Sequence, residues 1–143
     1  MRQILLLFLA GFAVLFALLL SGCALSKTKE DTAKESSSKA AYQKISAEEA
    51  YEMMASQEVV VVDVRTREEY DGGHIENAVL VPNESIGCEM PEALPDKEAT
   101  LLVYCRSGRR SKDAAQKLLE LGYQSVYDFG GVIDWPYELV KEE

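Results

Sequence analysis

The sequence predicts an α/β domain: a mainly parallel central sheet with helices on both faces. Three observations predict it. Val59 to Val62 and Leu101 to Tyr104 are continuous apolar runs, the mark of strands buried on both faces. Segments of helical character alternate with these runs, as βαβ units require. Pro82 and Gly122 stop elements where a crossover would turn.

Taken in order, the chain opens with a leader. Arg2 precedes seventeen residues, 4–20, that carry no charge, and Leu20-Ser21-Gly22-Cys23 follows. This resembles a bacterial lipoprotein signal peptide with its lipobox, Cys23 being the residue acylated, with palmitate among the expected lipids. A plain membrane anchor is the alternative, although seventeen residues span only about 25 Å of a ~30 Å hydrocarbon core. Either way the protein is expected at the cell membrane, facing outside the cytoplasm. Residues 1–22 read as the signal peptide, 23–41 as lipidated cysteine plus polar linker, and 42–143 as the folded domain. The linker is rich in Lys, Ser, Thr and Glu and holds one large apolar residue, Leu25, too few to order it.

Within the domain, Tyr42 to Ile45 reads as a first short strand. Ser46 and Glu49 have capping-box spacing, and Ala50, Met53 and Met54 fall on one face of the helix that follows. The methionine pair reads as core filler rather than a metal site. Strand Val59–Val62 ends at Asp63, and Thr66 to Tyr70 forms a short helix closed by Gly72-Gly73. Asp63, Arg65 and Glu69 read as a charge cluster bracing that turn. Ala78 to Val81 is another strand. Asn83 to Glu98 is irregular, because Pro91 and Pro95 exclude a long helix. After strand Leu101–Tyr104, a helix over Lys112–Leu121 carries the stripe Ala114, Ala115, Leu118, Leu119. Gln124 to Tyr127 reads as the last strand. Asp128 to Gly131 is expected to turn into a final helix, with Trp135 near its start and Pro136 in its first turn. Trp135 reads either as a wall of the pocket or as core packing.

The chemistry concentrates in Cys105-Arg106-Ser107-Gly108-Arg109-Arg110-Ser111, between a buried strand and a helix. A cysteine reacts as its thiolate, and an unperturbed thiol has a pKa of about 8.5. Backbone N–H groups at a helix N-terminus favour the anion. Gly108 allows φ > 0, so successive N–H groups can aim at one point. Arg106, Arg109 and Arg110 add full charges if they fold inward. The bland alternative is a buried core cysteine beside a solvated arginine face.

The loop resembles the active-site loop of rhodanese-like sulfurtransferases, Cys-x-x-Gly-x-Arg-Ser. Three further stretches carry the resemblance: Val60 to Arg65 followed by Glu68-Glu69-Tyr70 and Gly73 to Ala78; Val81-Pro82; and Gly130 to Trp135. It runs from about Ile45 to about Tyr137. It implies that Cys105 takes a sulfur atom from an anionic donor such as thiosulfate and holds it as a persulfide. A thiol or another nucleophile then accepts it. Arg106, Ser107, Gly108, Arg109 and Arg110 would bind the donor. Cysteine-dependent phosphatases use Cys-x5-Arg, but that arginine would fall on Ser111; here the spacing is Cys-x4-Arg, ending on Arg110, a tighter cradle. No metal-ligand spacing and no nucleotide-binding glycine motif is present, so no cofactor is expected.

His74 is the only histidine. A dyad with Cys105 is conceivable; the resemblance implies a scaffold role in the Gly-His-Ile turn. With Cys23 acylated, Cys88 and Cys105 are the only candidates for an internal disulfide. A thiol–disulfide module using both, or a non-catalytic binding domain on the same scaffold, are the alternative functions. Removing residues 1–22 leaves 14 Lys and Arg against 24 Asp and Glu, a net charge of −10. That argues against a nucleic-acid partner. The expected partners are a small anionic sulfur donor, a thiol acceptor and, through Cys23, the membrane.

Overall fold

The computed structural model describes Ala40 and residues 42–141. The leader, the lipidation of Cys23 and nearly all of the linker lie outside the described residues. Among the described residues no helix is long and apolar enough to cross a membrane.

Five parallel strands form one sheet: β1 (Gln43–Lys44), β2 (Val60–Asp63), β3 (Val79–Leu80), β4 (Thr100–Cys105) and β5 (Ser125–Gly131). Their order is β1-β5-β4-β2-β3, so β4 is central. Residues alternate between two cores, as strand geometry demands. Val62, Val64, Leu101, Val103 and Cys105 face one, with Ala114, Ala115 and Leu118 of helix α3 (Arg109–Glu120). Val61, Leu102 and Tyr104 face the other, with Ala50 of helix α1 (Ala47–Ser56) and Tyr70 of helix α2 (Arg67–Asp71). Helices therefore cover both faces. Met53 and Met54 pack against the second core as filler.

Local chemistry sets the helix starts. Ser46 Oγ accepts from the Glu49 N–H at 3.1 Å, and Glu49 accepts from the Ser46 N–H at 2.8 Å. Thr66 and Glu69 make the same reciprocal box at α2. Helix α3 begins at Arg109, three residues before the expected Lys112, because Gly108 takes φ 92° and turns the chain directly into the helix. The 83–98 stretch is irregular apart from a 3-10 turn over Asn83–Ser85.

The C-terminal segment departs from expectation. β5 does not end at Tyr127; it runs on through Gly131. Val103 pairs with Asp128 and Tyr104 with Gly130, so Phe129 is an extra residue, a β-bulge. Among the described residues no final helix follows. A 3-10 turn over Val132–Asp134 opens an otherwise extended strap that runs from Val132 to Val140. The strap is held by tertiary contacts a helix would forfeit. His74 and Val140 exchange backbone hydrogen bonds at 2.9 and 2.8 Å, and Tyr137 stacks on Tyr51.

Candidate active site

β4 delivers Cys105 at its carboxyl end, beside β5, where open α/β sheets place their sites. The residue is 1% exposed. The Gly108 N–H donates to its sulfur at 3.1 Å, and the Ser111 hydroxyl lies 3.7 Å from it. Helix α3 has no capping side chain at Gly108. Its orphan N–H groups are available to the sulfur instead. Burial alone would push the Cys105 thiol up. The N–H groups of Ser111, Ser107 and Gly108 and the Ser111 hydroxyl more than offset it, and the thiol lies below its ordinary value.

The loop rests on β5. A Cβ on Gly131 would lie 2.6 Å from the Ser107 Cα, so only glycine fits beneath it. The Ser111 hydroxyl bonds the carbonyls of Gly108 and Gly130 at 3.1 and 3.2 Å, tying loop, helix and strand together. Gly130 is fixed from behind by buried Asp128, which accepts its N–H at 2.9 Å, the Tyr42 hydroxyl at 2.7 Å and the Lys44 ammonium at 3.4 Å. Burial, then Asp128, raises the Tyr42 hydroxyl to about 12.

The arginines divide. Arg106 and Arg109 are exposed, as is Ser107. Arg110 makes a two-pronged pair with Glu69 at 2.7 and 2.8 Å, which holds the Glu69 carboxyl down to about 2. Its charge is already balanced. Placing Arg109 and Arg110 in the first turn of α3 opposes the helix dipole by roughly 0.3–1 kcal/mol each. The cost is understandable if the loop receives an anion.

The charge cluster at the α2 turn is a brace. Arg65 grips Asp63 through Nε and Nη2, at 2.6 to 3.0 Å, and donates to the Gly73 carbonyl at 2.8 Å. Glu69 both caps α2 and holds Arg110. His74 is buried, stacked on Tyr70 at 3.7 Å between ring centroids, with Nδ1 3.0 Å from the Tyr70 carbonyl. These are scaffold contacts. Trp135 packs with Phe129, Tyr137 and Tyr51 and lines a groove with Glu76 and Glu138, not the hollow that Arg106 lines. Cys88 is exposed and Cys105 buried, and both are free thiols. Among the described residues no cluster of three His, Cys, Asp or Glu is arranged for a metal ion.

Sequence reasoning missed Ser111 and Asp128. The signal for Ser111 was its place as the closing residue of the Cys-x-x-Gly-x-Arg-Ser pattern, in the first turn of a helix. Asp128 gave none, since its partners come from β1 and from the bulge.

The chain is similar to known proteins. Residues 46–136 match the model of the rhodanese-like domain. A thiosulfate sulfurtransferase of Escherichia coli, PspE, is 38% identical over 80 residues, covering 56% of this chain and 77% of that protein. A tRNA uridine(34) hydroxylase of Hamiltonella defensa is 35% identical over 106 residues, covering 71% of this chain. The match spans only 30% of that hydroxylase's length. The crystal structure of a rhodanese-like domain protein from Staphylococcus aureus superposes with a TM-score of 0.61 at 30% identity, covering 71% of this chain and 99% of that one. The chain belongs to the rhodanese-like domain family.

Proposed function

We propose that the protein is a membrane-anchored, extracytoplasmic sulfurtransferase that carries sulfur on Cys105 between an anionic donor and a thiol or similar nucleophile. One observation carries the reading: the buried Cys105 sulfur receives the N–H donors of its own loop and is held below the ordinary thiol value. Donors aimed this way favour the thiolate, the form in which a cysteine acts as a nucleophile.

The chemistry balances without an outside oxidant. The Cys105 thiolate attacks the outer sulfur of thiosulfate. The bond between the two donor sulfurs breaks, and sulfite leaves with the electron pair. The same N–H groups then hold the terminal sulfur of the persulfide. Arg106 and Arg109 are the exposed cations of the loop, available to meet the donor's oxyanion. Arg110 contributes differently: its pair with Glu69 fixes the first turn of α3.

The relatives support this reading unevenly. The sulfurtransferase match covers most of a small protein, whereas the hydroxylase match covers under a third of a larger one. The tRNA named in the hydroxylases is not carried over, since a formal charge of −9 opposes a polyanion. Anchoring rests on the apolar leader and on Cys23, whose acylation would be read as a mass increase on the N-terminal fragment.

The test uses the full chain and its Cys105→Ser variant. Each is incubated with thiosulfate, weighed intact, then treated with cyanide. Gain of one sulfur atom and release of thiocyanate, both absent from the variant, are expected. No gain by the fully reduced protein overturns the reading, and a mass two hydrogens light before reduction redirects it to a Cys88–Cys105 disulfide.

A further inference from the structure

The exposed apolar surface of the domain is gathered in one place. Of six large apolar side chains that stand exposed among the described residues, Ile133, Tyr137, Leu139 and Val140 all belong to the strap after β5. A fifth, Tyr51, stacks on Tyr137 at 3.8 Å. Ile133 is the most exposed, at 63%. Contiguous apolar patches of this kind mark interaction surfaces.

The patch adjoins the loop. The Ile133 N–H donates to the Arg106 carbonyl at 3.3 Å. Val132, Ile133 and Leu139 form one wall of a hollow of about 300 Å³, and Arg106, Glu68 and Glu69 line it as well. On its other flank the strap borders a groove holding Glu76 and Glu138. Of the acids at these edges Glu69 is paired with Arg110, while Glu68, Glu76 and Glu138 make no ion pair among the described residues. Of the cations, Arg65 is spent on Asp63, and Arg106 belongs to the loop. A small anionic donor gains nothing from an apolar strap with an acidic border.

We propose that this strap docks the sulfur acceptor, and that the acceptor is a protein whose cysteine lies on an apolar surface bordered by basic residues. The inference rests on the persulfide reading of Cys105 and names its second substrate. The partner's thiolate attacks the outer sulfur of the Cys105 persulfide. The sulfur–sulfur bond breaks, its electron pair returns to Cys105 as thiolate, and the persulfide is now on the partner. The strap supplies apolar contact, and Glu138 on it, with Glu68 and Glu76 beside it, meets the basic border, the division of labour found at protein interfaces.

The test loads the full chain with thiosulfate, confirms the sulfur gain by mass, and follows its loss to three acceptors. These are a synthetic peptide with cysteine among Leu and Lys, one with cysteine among Ser and Glu, and cyanide. The basic apolar peptide should react about tenfold faster than the acidic one, an advantage that shrinks as salt rises from about 0.05 M to 0.5 M. Ile133→Ser and Leu139→Ser should each slow that peptide several-fold, while transfer to cyanide stays within about twofold. Equal rates for the two peptides, or variants that slow cyanide and peptide alike, overturn the proposal. So does a dimer at the assay concentration that Ile133→Ser dissolves, since the strap would then cover a second copy. Absence of sulfur gain strikes the persulfide reading itself; gain without peptide preference strikes the docking surface alone.

Discussion

Gly131 lies directly beneath the backbone of Arg106, so close that β5 and the Cys105 loop touch main chain to main chain. Any side chain there must lift the loop. Gly131→Ala is expected to cost about 1–3 kcal/mol of stability through overpacking. It should also lower thiocyanate production about a hundredfold, since the sulfur loses aligned donors. Thermal melting and the cyanide assay check both. A stable, fully active variant would show that the loop is not seated by this contact.

Ser111 should be visible in the titration of Cys105. Its hydroxyl and N–H both help hold the thiol down, and Ser111→Ala removes only the hydroxyl. The thiol should therefore rise when the hydroxyl is removed. The midpoint of iodoacetamide alkylation against pH, moving upward, is the measurement. A midpoint that stays put leaves the backbone donors as the whole cause.

The Glu69–Arg110 pair predicts an acid-sensitive element. The Arg110 guanidinium holds Glu69 down to about 2. Since the folded value is the lower one, the stabilisation is present above the ordinary carboxyl range and is lost as pH falls toward 2. Glu69→Gln should lower the melting temperature at pH 7 and make the loss between pH 5 and pH 2 less steep, read from melts across that range (about three pH units). Parallel wild-type and variant curves would refute the link.

Trp135 offers a prediction of small effect. Its indole N–H is buried with no partner among the described residues. Leaving such a donor unpaired costs about 1–3 kcal/mol. Trp135→Phe removes that penalty along with part of the apolar ring, and the two changes oppose each other. Stability measured by denaturant titration should change by no more than about 1 kcal/mol, against about 3–5 kcal/mol for an ordinary aromatic truncation to Ala.

The strands and the loop were legible because their signals are local. Val60 to Asp63 and Leu101 to Tyr104 announce themselves by composition, and Ser46 with Glu49 by spacing. Gly108 declares its positive φ through its residue type. The end of the chain was not legible. Val132 to Pro136 has a plausible helix start, but what decides its path is distant: His74 captures Val140, and Tyr51 captures Tyr137. The bulge at Phe129 is equally non-local, because it exists only in register with β4. The arginines show the same limit. Three near Cys105 suggested three charges for a ligand, yet Arg110 is claimed by a glutamate 41 positions away.

The order of the strands has a temporal consequence. β1 and β5 are neighbours in the sheet although Lys44 and Asp128 are 84 positions apart. Such distant pairings close late, since the loop entropy must be met first. A chain made from its N-terminus holds Cys105 before β5 is complete. Through that interval the loop lacks the seat that Gly131 and Gly130 provide. The donors around the sulfur are therefore fixed in place only when β5 joins β4.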